Sequence, residues 1–161
     1  MQEPEKILMV CLGNICRSPL AEGIMRHKAL QAGIACKVDS AGIGRWIMGE
    51  PPHPLSQKVA KQNQIDISGL KGRQFVAEDM EIFHRVYFMD RQNLKDGRII
   101  ACKSWNADKG KLLLEMVPES SLIEVPDPYH DGFESYTTLF NLLSEACNYI
   151  LQDISAKALS P

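Results

Sequence analysis

Residues 7–19 of the chain read Ile-Leu-Met-Val-Cys-Leu-Gly-Asn-Ile-Cys-Arg-Ser-Pro. The first four residues form an uninterrupted apolar run, which is typical of a strand buried on both faces of a sheet. Ser18 followed by Pro19 is an ordinary start signal for a helix. Gly13 and Asn14 lie between these signals, and both residue types tolerate the positive φ angles of a tight turn. The segment therefore predicts a buried strand, a tight loop and a helix in immediate succession.

This loop has the composition of an anion-binding site with a nucleophile at its base. Successive amide groups in such a turn point inward, and the start of the helix adds partial positive charge. Arg17 supplies paired planar donors that suit phosphate oxygens, and the electropositive setting favours the ionised thiolate of Cys11. We therefore predict covalent phosphoryl transfer through Cys11. The predicted phosphate-binding residues are Leu12, Gly13, Asn14, Ile15, Cys16, Arg17 and Ser18.

Strand and helix patterns alternate along the rest of the chain. Apolar runs predict strands at 6–10, 37–39, 85–89 and 112–115. Periodic apolar positions and cap signals predict helices at 18–30, 55–64 and 79–83, a short helix from 92 and a long one from 133. The Gly- and Pro-rich residues 40–54 predict a long surface loop. The alternation indicates an α/β fold, a single doubly wound domain over 1–161 with a four-stranded parallel sheet flanked by helices on both faces.

A second candidate for chemistry is Asp127, which follows the fourth predicted strand in the run Val125-Pro-Asp-Pro-Tyr129. Its flanking prolines stiffen an extended loop. Because parallel strands end at one edge of the sheet, Asp127 and Cys11 are both expected at the ligand crevice. A carboxylic acid there can protonate a departing oxygen, although an Asp-Pro pair is also a common turn initiator. Trp46 and Tyr129 are either walls for a flat aromatic substrate or partly exposed core aromatics.

Composition and charge exclude several classes of protein. The 161 residues carry a formal net charge of −2, which gives no indication of a nucleic-acid partner. The apolar runs are far shorter than the roughly 20 residues of a membrane-spanning helix, and the first residues lack a secretory signal pattern. The five cysteines are scattered, without paired metal-ligand spacing or the density of a disulfide scaffold. We expect a cytoplasmic monomer without membrane association, metal ion or cofactor.

Five motifs together resemble the low-molecular-weight protein tyrosine phosphatases. They are residues 10–19, Asp39-Ser-Ala-Gly, Gly49-Glu-Pro-Pro-His-Pro, Met89-Asp-Arg-Gln-Asn-Leu and Asp127-Pro-Tyr, in the family's order. The resemblance extends from about residue 6 to about residue 152. It implies hydrolysis of phosphotyrosine, on a protein or a small aryl phosphate, through a cysteinyl phosphate and without a metal ion or other cofactor.

The resemblance implies a role for each matching residue. Cys11 would be the nucleophile, Arg17 would bind two equatorial oxygens, and Asp127 would act first as general acid and then as the base for water. Ser18 would hydrogen-bond the Cys11 sulfur, and Cys16 would be a second loop cysteine able to capture an oxidised Cys11 as a disulfide. The implied loop-supporting residues are Asn14, Ser18, Ser40, Asp90 and Asn93, and the implied substrate-lining residues are Trp46 and Tyr129.

Two positions depart from the family's pattern. Members often carry a His where this chain has Leu70, so the hydrogen-bond network that such a His completes around Asn14 is expected to lack that partner. Members often have a second Tyr after Asp-Pro-Tyr, whereas this chain has His130, which is expected to face solvent. Structural roles are expected for the remaining histidines, which lack partners at metal-ligand spacing: His27, His53 and His84.

Three alternatives compete with a phosphatase. A thiol-coupled arsenate reductase shares this fold and loop but needs two further cysteines to relay a disulfide, and the distant candidates are Cys36, Cys102 and Cys147. Of these, Cys147 is expected to be buried on the long helix. A non-catalytic phosphate-binding module has no need of a nucleophile and an acid together. Cys11 itself could be a small buried hydrophobe, which is the commonest role of a Cys after an apolar run.

Overall fold

A computed structural model describes residues 3–46 and 48–160. Its centre is a parallel sheet of β1 (Glu5–Cys11), β2 (Cys36–Gly42), β3 (Arg85–Phe88) and β4 (Gly110–Leu112). The strand order is β2-β1-β3-β4, so the chain runs outward from β1 in both directions. This order is that of a doubly wound sheet, whose ligand crevice lies where the direction reverses. The predicted α/β class and four-stranded parallel sheet are confirmed.

Helices lie on both faces of the sheet. The α-helices of the described residues are α1 (Arg17–Ala32), α2 (Pro54–Gln62), α3 (Asp79–Ile82), α4 (Arg91–Ala101) and α5 (Phe133–Ala158). Their bounds lie close to the predicted ones, and α5 begins at the predicted Phe133. Within the described part of the chain, no helix combines the length and the apolar character needed to cross a membrane.

Strand β1 is buried on both faces, as its apolar run predicts. Ile7 and Met9 pack into a cluster with residues of α1, α2 and α5. Leu8 and Val10 pack into a second cluster with residues of α3 and α4, among them Met80. Because successive side chains of a strand point to opposite faces, this split assigns each helix to one side of the sheet. The carboxyl end of β1 thus lies between two layers, with residues 12–16 connecting it to α1.

One predicted surface loop begins later than expected. Strand β2 continues through Ser40 to Gly42 rather than ending at residue 39. Ser40 pairs with Met9 of β1, and the N–H of Gly42 donates to the carbonyl of Arg73 at 2.9 Å. A Cβ at Gly42 would lie 3.0 Å from Asn14, which is tighter than ordinary van der Waals contact, so glycine fits best there. The longer strand brings Ser40 beside the loop that follows β1.

The fourth predicted strand is wrong in its position. Strand β4 covers Gly110–Leu112, and Leu113–Met116 forms a 3-10 helix instead of strand. Leu113 and Leu114 are buried in the same cluster as residues of α5. A short apolar run signals burial but does not by itself distinguish a strand from a helical turn, which explains the difference.

Candidate active site

Cys11 is the last residue of β1, and its sulfur lies at the base of the loop formed by residues 12–16. The residue is 2% exposed. The N–H of Asn14 points at Sγ from 3.2 Å, and Oγ of Ser18 lies 3.0 Å from Sγ. Polar contacts of this kind stabilise negative charge on sulfur. They distinguish Cys11 from a small buried hydrophobe.

The backbone of this loop presents unused donors. Asn14 has a φ of 54°, in the left-handed region that Asn tolerates better than most residues. Within the described residues, the N–H groups of Gly13, Ile15 and Cys16 donate to no backbone or side-chain acceptor. They lie directly before α1, whose first N–H groups also lack helical partners and carry partial positive charge. Such a set of donors suits an oxyanion.

A buried hydrogen-bond network holds the shape of the loop. Nδ2 of Asn14 donates to Oγ of Ser18 at 2.8 Å and to Oγ of Ser40 at 2.9 Å. Oδ1 of Asn14 accepts the N–H of Arg73 at 3.1 Å, and Ser40 donates to the buried carboxylate of Glu22 at 2.6 Å. Asn14 is therefore fully engaged although residue 70 is Leu. Because Asn14 donates to Oγ of Ser18, that oxygen acts as an acceptor. The Ser18 hydroxyl proton then faces two acceptors, Sγ of Cys11 at 3.0 Å and the carbonyl of Ala41 at 3.4 Å, and the sulfur is the nearer one.

Arg17 lies in the first turn of α1 and is 3% exposed. Its Nη1 donates to Oδ2 of Asp90 at 2.8 Å and to the carbonyl of Val125 at 2.9 Å. Within the described residues, its Nε and Nη2 make no hydrogen bond. The edge formed by Nε and Nη2 is the one that binds two phosphate oxygens at once. The guanidinium is thus anchored on one side and available on the other.

Acidic neighbours keep this guanidinium charged. Burial alone would lower the pKa of Arg17, but Cys11, Asp90 and Asp127 outweigh it and raise the pKa above its usual value. Oδ2 of Asp127 lies 3.6 Å from Nη2 of Arg17, so the carboxylate expected to be the acid lies beside the expected oxyanion clamp. The structure therefore brings together Cys11, Arg17 and Asp127.

Asp90 is expected to support a neighbouring loop, but in the structure it also binds Arg17 directly. Its Oδ2 binds Arg17, and its Oδ1 accepts the N–H of Asn93 at 2.8 Å, which caps the start of α4. Asn93 itself is buried and contributes that backbone contact. Its side-chain Oδ1 has no partner within the described residues.

Asp127 and Tyr129 form the other wall of the crevice. The N–H of Tyr129 donates to Oδ1 of Asp127 at 3.1 Å, which fixes the carboxylate in a local turn. The Tyr129 side chain is half-exposed. Its ring packs edge-on against His53 at 5.7 Å between centroids and against the exposed His130 at 4.8 Å.

Trp46 lies on the loop after β2. Its side chain is 72% exposed, and a Cβ at Gly44 would lie 2.5 Å from the indole ring. The indole therefore covers Gly44, whose N–H donates to the carbonyl of Leu12 at 2.8 Å. This arrangement ties the exposed aromatic side chain to the phosphate loop. Trp46 and Tyr129 are thus exposed side chains rather than core aromatics.

Cys16 differs from Cys11 in its environment. Its Sγ lies 3.4 Å from the hydroxyl of the buried Tyr136. Burial, and to a lesser degree the neighbouring Cys11 and Asp127, raise the pKa of Cys16 to about 11, although the Tyr136 hydrogen bond opposes the change. Cys16 is therefore a neutral thiol at physiological pH. The apolar spacing of α5 predicts a buried Tyr136 but gives no signal that it contacts the loop.

Among the described residues, no group of three or more His, Cys, Asp or Glu side chains could hold a metal ion. Of the distant cysteines, Cys147 is fully buried, and burial raises its pKa to about 12. Cys102 is exposed and Cys36 is half-buried.

Comparison with known proteins agrees with this site. Residues 6–159 match the family model described as low molecular weight phosphotyrosine protein phosphatase. YfkJ of Bacillus subtilis, named a low molecular weight protein-tyrosine-phosphatase, is 39% identical over 150 residues, which cover 92% of this chain and 94% of YfkJ. PtpA of Staphylococcus epidermidis, which carries the same family name, is 35% identical over 158 residues, 94% of this chain and 97% of PtpA.

Solved structures show the same similarity. The crystal structure of YfkJ superposes with a TM-score of 0.89 at 36% identity, covering 97% of this chain and 98% of that one. A protein tyrosine phosphatase from Entamoeba histolytica, crystallised with Hepes in its active site, superposes with a TM-score of 0.87 at 27% identity, covering 96% and 99%. The fold and site thus define a phosphoric monoester hydrolase. The chain belongs to the low molecular weight phosphotyrosine protein phosphatase family.

Proposed function

We propose that this enzyme hydrolyses phosphotyrosine and related aryl phosphate monoesters through a cysteinyl phosphate on Cys11, without a metal ion. The observation that carries the proposal is the position of the Cys11 sulfur at the base of a loop whose N–H groups at Gly13, Ile15 and Cys16 have no acceptor among the described residues. Cys11 is also close enough to Arg17 for its charge to raise the Arg17 pKa. These donors are fixed in the direction where charge develops on the three equatorial oxygens of the transferring phosphoryl group.

In the first step, the Cys11 thiolate attacks phosphorus and the bond from phosphorus to the aryl oxygen breaks. Asp127 gives its proton to the departing oxygen, so that a neutral phenol leaves. The place of Asp127 beside Arg17 supports this role, since the carboxyl group lies at the mouth of the loop rather than below it. The products of this step are the cysteinyl phosphate and an Asp127 carboxylate.

In the second step, water attacks the phosphorus of the cysteinyl phosphate while Asp127 takes up one of its protons. The bond from sulfur to phosphorus breaks, and the electron pair returns to the Cys11 sulfur. Ser18 stabilises the departing thiolate, because its hydroxyl lies 3.0 Å from Sγ and is oriented by Asn14. Inorganic phosphate then leaves, and the enzyme returns to its starting charge.

Trp46 and Tyr129 support the choice of an aromatic substrate. Both are exposed aromatic side chains on loops adjoining the site, and their faces suit the flat ring of phosphotyrosine. A tyrosine-phosphorylated protein or a small aryl phosphate is therefore the proposed substrate class. We propose that the chain acts as a single domain, which the match of the family model to residues 6–159 supports.

The decisive experiment detects the covalent intermediate on Cys11. Rapid mixing with p-nitrophenyl phosphate and acid quench, followed by mass spectrometry of peptides, is expected to show phosphate on Cys11. Cys11→Ser is expected to abolish turnover while binding of inorganic phosphate remains measurable. Turnover is expected to be unchanged by a chelator. Substrate hydrolysis by Cys11→Ser contradicts the covalent mechanism, and loss of activity with chelator contradicts metal independence.

The arsenate reductase alternative has no support. The relatives described above carry phosphatase names, and the candidate relay cysteines do not share one environment, since Cys147 is fully buried and Cys102 is exposed. An arsenate reduction assay with thioredoxin is expected to show no activity above background.

A further inference from the structure

His53 lies between two tyrosines that belong to different parts of the site. Its ring stacks on Tyr136, with centroids 5.2 Å apart and an interplanar angle of 21°. Tyr129 also contacts the His53 ring, edge-on, with centroids 5.7 Å apart and an interplanar angle of 72°. The three rings therefore form a continuous column from the buried partner of Cys16 to the exposed rim.

The base of this column is fixed to the phosphate loop. The N–H of His53 donates to the carbonyl of Ile15 at 2.8 Å. Its Nδ1 accepts the N–H of Leu55 at 3.1 Å and caps the start of α2. One turn further, Oγ of Ser56 donates to the carbonyl of Cys16 at 3.1 Å. The imidazole therefore has a defined orientation relative to the loop that holds Cys11.

The column ends at the loop of residues 125–131, which carries Asp127 and Tyr129. Prolines on either side of Asp127 remove backbone donors, and Tyr129 makes its described hydrogen bond within the same turn, to Asp127. The loop has anchors of its own in the buried Pro128 and in the backbone of Val125, which bonds to Met89 and Arg17. Packing of the Tyr129 ring on His53 is the described contact between the residue whose N–H bonds Asp127 and the start of α2. His130 also packs on Tyr129, but it is exposed and belongs to the same loop, so it moves with Tyr129 rather than anchoring it.

We infer that His53 is a positioning residue: it holds Tyr129, and through the Tyr129 N–H the Asp127 carboxyl group, over the phosphate loop. This inference rests on the proposed function and names a residue that sequence reasoning assigned only a structural role. His53 does not touch the reacting atoms. It acts by fixing the distance between the acid and the loop, on which the efficiency of proton transfer depends.

The test is His53→Asn. Asn is a strong N-cap residue and retains an acceptor for the Leu55 N–H, but it removes the ring. We expect kcat/KM, which reports the step in which Asp127 acts as acid, to fall about 10-fold further for phenyl phosphate, which has a poor leaving group, than for p-nitrophenyl phosphate. KM is expected to rise for both substrates, because the Tyr129 wall loses its support. Hydrogen exchange of the Tyr129 amide, followed by NMR, is expected to become faster.

His84→Asn is the matched control. Nδ1 of His84 also accepts a backbone N–H, from Lys6 at 3.0 Å, but His84 lies directly before β3, at the amino ends of the strands, whereas the site lies at their carboxyl ends. His84→Asn is expected to leave the hydrolysis of both substrates and the exchange rate of the Tyr129 amide unchanged. His53→Phe keeps a stacking ring and loses the cap acceptor. It is expected to lower the melting temperature while retaining the wild-type ratio of the two substrates.

The inference is overturned if His53→Asn lowers kcat/KM by the same factor for both substrates, or if the Tyr129 amide keeps its protection. If His53→Asn does not fold, His53→Phe decides, and a changed substrate ratio in that variant overturns the inference. A wild-type enzyme that hydrolyses neither substrate contradicts the proposed function instead. The amide measurement then still tests the link from His53 to Tyr129.

Discussion

Nη1 of Arg17 lies 2.8 Å from Oδ2 of Asp90, and this contact fixes the guanidinium without the help of substrate. The same carboxylate caps α4 through the N–H of Asn93. Asp90 therefore couples the end of β3 to the start of α1. Preorganised donors of this kind lower an activation barrier because they need no rearrangement during the reaction.

Asp90→Asn tests this coupling. The amide retains an oxygen for the helix cap but loses the charge that holds Arg17. Charge-assisted hydrogen bonds are worth roughly 1.5–3 kcal/mol, so we expect kcat/KM for p-nitrophenyl phosphate to fall at least about 10-fold. The control is Asp96→Asn, on the same helix, whose side chain bonds only to Gln92 within the described residues. It is expected to retain the wild-type kcat/KM. Wild-type kcat/KM in Asp90→Asn contradicts the role of this ion pair.

Arg17→Lys tests the open edge of the guanidinium. Lys keeps the charge but cannot bind two oxygens in parallel. Loss of one preorganised donor commonly costs about 10²–10³ in kcat, and we expect a loss of that size here. Binding of vanadate, measured by inhibition, is expected to weaken as well. Arg91→Lys, at an exposed position in the first turn of α4, is the control. Near-normal turnover by Arg17→Lys is the contradicting result.

Local sequence signals predicted the elements that carry the site. The apolar run at 7–10, the helix start predicted at Ser18 and Gly33 at the end of α1 all depend on near neighbours. The strand and the glycine agree with the structure, and the helix begins one residue earlier, at Arg17. Gly33 has a φ of 69°, which glycine adopts without strain. The predicted bounds were wrong where contacts between residues distant in sequence determine the local structure. Ser40 is strand because it pairs with β1, and 113–116 is helical because its leucines face α5.

The same distinction applies to the site. Cys11, the loop and Arg17 are contiguous in sequence, so their chemistry could be predicted from residue types and spacing. Asp90 contacts Arg17 across 73 residues, and His53 contacts Tyr129 across a similar separation in sequence. No local pattern encodes such pairs in a single sequence. The role of Asp90 as the anchor of Arg17 became visible only with the fold.

Asp127→Asn tests the general acid. The amide cannot supply a proton, so the loss should grow as the leaving group becomes more basic. We expect kcat/KM, which reports the first step, to fall about 10²–10⁴-fold with phenyl phosphate and considerably less with p-nitrophenyl phosphate. Asp131→Asn, exposed in the same loop, is expected to behave as wild type. Equal losses for both substrates would remove Asp127 from the acid role.

Two substitutions of Asn14 separate the effect of backbone strain from the effect of its side-chain hydrogen bonds. Asn14→Gly removes the side-chain contacts to Ser18, Ser40 and Arg73 but accepts a φ of 54° without cost. Asn14→Ala removes the same contacts and adds roughly 1–2 kcal/mol of strain. We expect similar losses of kcat in both variants and a lower free energy of unfolding for Asn14→Ala, measured in urea. Equal unfolding free energies indicate that the left-handed conformation is not what constrains this position.

Cys16 makes stability depend on pH in the alkaline range. Burial, reinforced by Cys11 and Asp127 and opposed by Tyr136, raises the pKa of Cys16 from 9.0 to about 11 on folding. The folded state therefore holds this proton more tightly than the unfolded chain does. The resulting stability is fully present below pH 9 and is lost as the pH rises toward 11.

The measurement compares urea unfolding of the wild type and Cys16→Ala at several pH values between 9 and 11. The free energy of unfolding should fall more steeply with pH in the wild type, because the variant lacks this titrating group. Burial also raises the pKa of Cys147 to about 12, but that group is present in both proteins and cancels in the difference. Cys102→Ala removes an exposed thiol and should retain the wild-type slope. Parallel curves for the wild type and Cys16→Ala would show that the Cys16 thiol has the same proton affinity in both states, against the burial seen beside Tyr136.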